Sequence, residues 1–211
     1  MFGDRHQPAR VDCLSIRSAT LSRCGRRGQD EGKNLIRSES LASHVDRGRI
    51  IVGLISDTHG QFRPGLTSVF AGVDLIVHAG DVGGATVLDA LTRLAPVAAV
   101  AGNVDDPHDP RLAREHTLTV GMLTLHVSHG DELGRPTPSG LLARPQADVL
   151  VYGHTHQALE LRAPDGRLVI NPGAAGPRRF NLQPSVAILT IEGRNAVVSF
   201  VPLSATAPRV Q

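Results

Sequence analysis

The sequence predicts an α/β fold: one mixed β-sheet or two packed sheets, with helices on the outside. Three observations predict it. From residue 49 to about 101, strand-like and helix-like segments alternate. Beyond residue 115 the chain breaks instead into paired strands around short turns. Five apolar runs end in residues able to bind a metal, namely Asp57, Asp81, Asn103, His129 and His154, which is how a cleft is assembled at the ends of strands.

The elements follow in chain order. Ile50 to Ser56 is apolar and partly β-branched, as expected of a strand buried on both faces, and 74–78, 97–101 and 148–152 resemble it. Between the first three lie helix-like stretches over 63–71 and 85–94. In the second of these, Val87, Leu88, Leu91 and Leu94 form an apolar stripe at helical spacing. Strand, helix, strand, helix, strand implies right-handed crossovers and parallel pairing. Runs 117–120 and 123–128 flank Gly121-Met122 and read as a hairpin. Runs 159–163 and 167–171 flank Pro164-Asp165-Gly166, and 185–191 and 196–201 flank 192–195, giving two more.

Residues 1–48 read as a separate region, with the domain occupying 49–211. The front segment is rich in Arg, Ser, Gly and Asp, and its apolar positions are too sparse to offset the entropy of ordering. A disordered tail is expected, or a start placed too early, with Val45 or Val52 as alternative starts. An organellar transit peptide is opposed by six acidic residues. One helical turn is expected near Ser38 to His44.

The net charge of +2 divides unevenly. Nine Arg and one Lys stand against six acids in residues 1–49, and 12 Arg stand against 14 acids in the rest. The domain therefore carries no positive field of the kind that nucleic-acid binding requires, although a small phosphodiester substrate remains compatible. No run approaches the roughly 18 apolar residues of a membrane span. Both cysteines, Cys13 and Cys24, precede the domain, so no disulfide staples its core, and a cytoplasmic, reducing setting is expected.

Each donor alone has an ordinary explanation, because Asp and Asn cap turns and a lone His is often a surface residue. Together, Asp57, His59, Asp81, Asn103, His129, His154 and His156 follow apolar strands, and nearly all stand beside a glycine. Two Asp, one Asn and four His supply hard oxygen and borderline nitrogen with no thiolate. That set suits Mn²⁺, Fe, Co²⁺, Ni²⁺ or Zn²⁺ rather than Ca²⁺ or a structural zinc. Seven ligands exceed one tetrahedral ion and match two ions that share a carboxylate, with Asp81 central enough to be the bridge.

Residues 50 to about 202 resemble the calcineurin-like metallophosphoesterase superfamily, within it the small bacterial and archaeal phosphodiesterases. The matching stretches are Ser56-Asp57-Thr58-His59-Gly60, His78-Ala79-Gly80-Asp81, Gly102-Asn103-Val104-Asp105, Ser128-His129-Gly130, Tyr152-Gly153-His154-Thr155-His156 and Asn171-Pro172-Gly173-Ala174. The resemblance implies an α/β sandwich of two packed mixed β-sheets flanked by helices. It places Asp57, His59 and His156 on a first metal and Asn103, His129 and His154 on a second, with Asp81 bridging. Two divalent ions, Mn²⁺ first among the metals named above, are expected about 3.5–4 Å apart, where a bridging hydroxide attacks a small or activated phosphodiester in line. The alternatives are a phosphomonoesterase of the same fold and a non-catalytic protein-interaction scaffold, as in a retromer subunit of the superfamily.

One position departs from the pattern. Larger members carry histidine after the Asn, where it serves the leaving oxygen, and the small phosphodiesterases commonly carry cysteine; here Val104 stands there. Asp105, which in the superfamily orients that histidine, remains a catalytic candidate with Asp81 and Asn103, and His108 is a substitute acid. His78 reads as a buried residue or a support for the ligands, His116 and His126 as structural or exposed, and Arg178 and Arg179 as donors to substrate phosphate or a solvated pair. A homo-oligomer paired through apolar residues of the later hairpins is the expected assembly.

Overall fold

A computed structural model describes residues 48–144, 146–179 and 181–203. The expected turn at Ser38 to His44 and both cysteines lie outside these residues. Two five-stranded mixed sheets pack face to face. The first has the order β10-β9-β1-β2-β3 and the second β4-β5-β6-β8-β7. The strands are β1 Arg49–Ile55, β2 Leu75–His78, β3 Val97–Ala99, β4 Glu115–Val120, β5 Leu123–Ser128, β6 Val149–Val151, β7 Leu159–Arg162, β8 Leu168–Asn171, β9 Ser185–Glu192 and β10 Asn195–Pro202.

In the first sheet β1 pairs in parallel with β2, and β2 with β3, as the alternating pattern requires. The third hairpin, β9 and β10, completes this sheet by pairing antiparallel to β1, with Arg49 opposite Glu192. In the second sheet β5, β6 and β8 are parallel, and the antiparallel strands β4 and β7 form its edges. Each sheet thus holds three consecutive parallel strands, at one side of the first sheet and in the middle of the second. The carboxyl ends of β1, β2, β3, β5 and β6 all open on the site.

Side-chain alternation explains why β1 has no polar side chain after Arg49. Val52 and Leu54 point between the sheets, where they meet Leu125, Val127, Val149, Leu168 and Ile170. Ile55 faces the other way, into a second cluster with Leu66, Phe70, Ile76, Val87, Leu88 and Leu91 beneath the helices. Those helices are α1 Gly65–Val69 and α2 Ala85–Thr92, both shorter than the sequence predicts. The predicted helix over 63–71 shrinks because Arg63 turns away to bind loop carbonyls and Pro64 takes the cap position. A third helix, α3 Pro138–Leu142, covers the second sheet with Leu141 against Leu150, Tyr152 and Val169. Thr137 caps it by accepting from the Gly140 N–H, a one-turn signal too brief to register as periodicity.

Gly53 interrupts the apolar run of β1 for a reason visible only in space. A Cβ there would stand 2.8 Å from the Phe70 ring, so the aromatic that caps α1 lies directly on the strand backbone. No helix among the described residues is long and apolar enough to cross a membrane.

Candidate metal centre

The site is built on five loops that each leave a strand and turn at once. Asp57, His59, Asp81, His154 and His156 all have positive φ, between 46° and 66°, and are the non-glycine residues among those described that do. Left-handed backbone is strained for side chains with a Cβ and persists where the surroundings over-determine it. Here the surroundings are the other loops. The Asp57 N–H donates to the Gly80 carbonyl at 2.9 Å, the His59 N–H to Asp81 at 3.0 Å and the Gly60 N–H to Val82 at 2.8 Å. The Gly153 N–H donates to the His129 carbonyl at 3.1 Å, which joins the loops that leave β5 and β6 beside the donors.

Five of the seven expected ligands fall into two overlapping groups. Donor atoms of Asp57, His59 and His156 lie within 4.8 Å of one another, and so do those of Asp57, Asp81 and His129. His156 Nε2 is 3.1 Å from Asp57 Oδ1 and 3.4 Å from His59 Nε2. Asp81 presents its two oxygens to different histidines, Oδ2 at 3.8 Å from His59 Nε2 and Oδ1 at 3.4 Å from His129 Nε2. Asp57 belongs to both groups, a sharing that the sequence reading gave to Asp81 alone. Asn103 and His154 lie alongside, Asn103 Oδ1 3.1 Å from His154 Nδ1, while His154 Nε2 faces the Gly134 carbonyl at 3.1 Å. The His154 ring meets that of His129 edge-on at 5.1 Å.

Hydrogen bonds outside the cleft set which atoms face inward. His129 Nδ1 sits 2.8 Å from the Ala79 carbonyl and donates to it, which turns Nε2 toward the site and Asp81. Ser56 Oγ holds Asp57 Oδ2 at 2.6 Å. Asp57 Oδ1 and His129 Nε2 are buried and lack any hydrogen-bond partner among the described residues. Burial alone would raise the Asp81 carboxyl, but His129, the Val104 N–H at 3.1 Å and the charge of His59 outweigh it and hold the group at about 2. His59 is pushed below its usual range, first by burial and then, against the pull of Asp81, by the Arg179 guanidinium.

The remaining residues singled out in the sequence separate clearly. Asp105 accepts from the backbone N–H groups of Val82, Gly83 and Gly102 at 3.0, 2.8 and 2.9 Å, which clamps the Asn103 loop onto the Asp81 loop. The Val104 side chain is half exposed and His108 is exposed. Sequence reasoning gave no role to Asn171 beyond its place in a matching stretch. It holds the His154 loop through its Nδ2, 2.8 Å from the Gly153 carbonyl and 3.0 Å from Thr155 Oγ1. Arg63, which has no local signal at all, fixes the loop that follows Asn171 by bonding the carbonyls of Ala175 and Gly176 at 3.0 and 2.8 Å. His126 is buried, with Nε2 3.7 Å from Glu115.

His78 is completely buried under the centre, its Nε2 2.9 Å from Thr58 Oγ1. Burial, opposed by Asp57 and other neighbouring charges, lowers its pKa to about 4. The folded ring therefore stays neutral where the unfolded chain takes up a proton, so its contribution is whole above pH about 6.5 and is lost as pH falls to about 4. The expected loss is up to about 3 kcal/mol. His78→Gln cannot titrate and should flatten that part of the acid limb. Urea unfolding of the metal-free proteins at pH 7, 5.5 and 4.5 measures it, and parallel limbs for the two proteins would contradict the assignment.

A family model of the calcineurin-like phosphoesterase superfamily domain matches residues 50–194. A probable metallophosphoesterase of Methanothermobacter thermautotrophicus is 32% identical over 152 residues, spanning 68% of this chain and 87% of that protein. The probable metallophosphoesterase YsnB of Bacillus subtilis is 36% identical over 156 residues, spanning 70% and 88%. Vacuolar Protein Sorting 29 from Cryptosporidium parvum shares the fold, with a TM-score of 0.63 at 20% identity over 74% of this chain and 98% of that one. Wild-type Vps29 from Entamoeba histolytica complexed with zinc does likewise, with a TM-score of 0.61 at 22% identity over 72% and 99%.

Proposed function

This chain belongs to the calcineurin-like phosphoesterase superfamily, and on that premise we propose that it is a two-metal hydrolase of small or activated phosphodiesters. The observation that carries the proposal is the pair of donor groups overlapping at Asp57. Asp57 Oδ1 and His129 Nε2 are buried with no hydrogen-bond partner among the described residues, which costs about 1–3 kcal/mol for each polar atom, and a bound cation would satisfy both. The residues present thus fit a divalent transition metal. Asp57, His59 and His156 would hold one ion and Asn103, His129 and His154 the other, with Asp81 between them. Two such ions supply charge neutralisation at the phosphoryl oxygens and activation of a water nucleophile.

The chain's own residues decide the kind of ester. The Val104 N–H is engaged with Asp81, its side chain has no proton to give, and the Asp105 carboxylate is occupied by three backbone amides. No side chain on this loop short of the exposed His108 can protonate a leaving oxygen. A phosphomonoester with a poor leaving group gains most from such an acid, so its absence favours activated diesters.

Manganese-dependent hydrolysis of bis(p-nitrophenyl) phosphate and p-nitrophenyl phosphate tests the proposal. The diester is expected to turn over faster, and Asp81→Ala to lose about a thousandfold or more with its circular dichroism unchanged. Faster cleavage of the monoester would replace the diesterase by the phosphomonoesterase. No metal-dependent turnover in well-folded protein would favour the scaffold, a reading supported by the likeness of fold to Vacuolar Protein Sorting 29 and by Val104.

A further inference from the structure

Beside the metal centre, and sharing His156 with it, lies a pocket lined by Arg178, Arg179, Leu182, Gln183 and Pro184. It sits on the loop that Arg63 anchors through the carbonyls of Ala175 and Gly176. Arg111, Arg114, Arg144, Arg162, Arg167 and Arg194 all bond an acceptor through their guanidinium groups, as Arg63 does. The Arg178 and Arg179 guanidiniums, like those of Arg49, Arg93 and Arg135, have no hydrogen bond or ion pair among the described residues, but these two line the pocket that His156 shares. Arg179 also stands near enough for its charge to act on His59.

Charge and leaving-group chemistry converge on one class of substrate. Two carboxylates, Asp57 and Asp81, face two divalent ions in the proposed centre, and a simple diester brings one further negative charge. That leaves the Arg178 and Arg179 guanidiniums, unpaired among the described residues, without a phosphate of their own. Their planar forks match phosphate oxygens in pairs, and exposed Arg side chains beside a cleft raise its affinity for polyanions. Independently, Val104 removes the residue that would protonate a departing alkoxide, whereas a phosphate departs as a stable anion without one.

We propose that this pocket is a second phosphate subsite and that the substrate is a diphosphate diester, cleaved at its P–O–P linkage. The proposal rests on the two-metal hydrolase reading for the chemical step. In that step the oxygen of water bonds to one phosphorus, the bridging oxygen leaves with its electron pair on the other, and the protons of water pass to solvent. Two phosphate monoesters result, and nothing is oxidised or reduced. Leu182 and Pro184 give the pocket an apolar wall against which the organic part of the substrate can lie.

The test compares wild type, Arg179→Gln and the Arg178→Gln/Arg179→Gln double variant, all with Mn²⁺. Titration calorimetry with P1,P2-diphenyl methylenebisphosphonate and with diphenyl phosphate reads binding, and turnover of P1,P2-diphenyl diphosphate and bis(p-nitrophenyl) phosphate reads catalysis. Wild type is expected to bind the bisphosphonate about tenfold or more tightly than diphenyl phosphate, and Arg179→Gln to remove that preference. KM for diphenyl diphosphate should rise about tenfold in Arg179→Gln, with KM for bis(p-nitrophenyl) phosphate within about twofold of wild type. Equal binding of the two probes by wild type overturns the proposal. So does an equal weakening of both in the variants, because the guanidiniums would then serve the scissile phosphate. If wild type hydrolyses neither ester, the hydrolase reading fails, and the binding preference and its dependence on Arg179 still judge the pocket.

Discussion

Asp57→Asn is expected to reduce metal-dependent turnover by about a thousandfold or more while leaving the metal-free fold as stable as wild type or more so. Asp57 is completely buried and belongs to both donor groups, so its charge serves both proposed ions at once. Its Oδ1 has no hydrogen-bond partner among the described residues and only the His156 ring, 3.1 Å away, beside it, so its burial destabilises the apo fold. Asparagine keeps the shape and, unlike most residues, tolerates the φ of 54° found here. The two effects therefore have opposite signs in one variant. Bound manganese by elemental analysis, bis-aryl phosphate turnover and the thermal midpoint of the metal-free protein measure them. Turnover within tenfold of wild type would remove Asp57 from the centre.

Gly102→Ala should have the next largest effect, although residue 102 carries no functional group. A Cβ at this position runs into Asp81, against its Oδ1, its backbone nitrogen and, at 2.8 Å, its Cγ. None of these can retreat freely. Asp81 Oδ1 is held by the Val104 N–H, and the Gly102 N–H is fixed to Asp105 Oδ2 at 2.9 Å. Overpacking of this kind destabilises by about 1–3 kcal/mol, and moving a catalytic group by about 1 Å lowers turnover about a hundredfold. Gly65→Ala is the control, since a Cβ in α1 meets nothing within 4 Å and the backbone there is helical. It should leave turnover unchanged and be neutral or slightly stabilising. Equal behaviour of the two variants would mean that the Asp81 and Asn103 loops do not pack as one unit.

Much of this protein was legible in its linear order because local chemistry writes itself locally. The run over 50–56 had to be a doubly buried strand, and β1 is one, with Val52 and Leu54 facing one layer and Ile55 the other. Short turns between alternating runs specified the hairpins β4–β5, β7–β8 and β9–β10, all of which form. Helix ends were less legible. α1 and α2 stop short of the predicted limits, since their last turns are decided by what the side chains can reach rather than by periodicity. Helix α3 lay below the length at which a period can be read.

For the centre, residue type and position after an apolar strand sufficed to name the candidate donors, because a metal requires particular ligand atoms. How those donors share space was decided only by tertiary structure. That Asp57 belongs to two groups, that Asp105 spends its carboxylate on three amides, and that five candidate donors adopt left-handed backbone all depend on contacts between loops. The same holds for the place of Arg178 and Arg179 beside His156. Asp57 and His156 stand almost a hundred positions apart in the chain, and no local pattern encodes a distance of 3.1 Å across that interval. The sequence determined which donors this protein carries and the order of its strands along the chain. The packing of two sheets, which brings five strand ends to one edge, decided what those donors face.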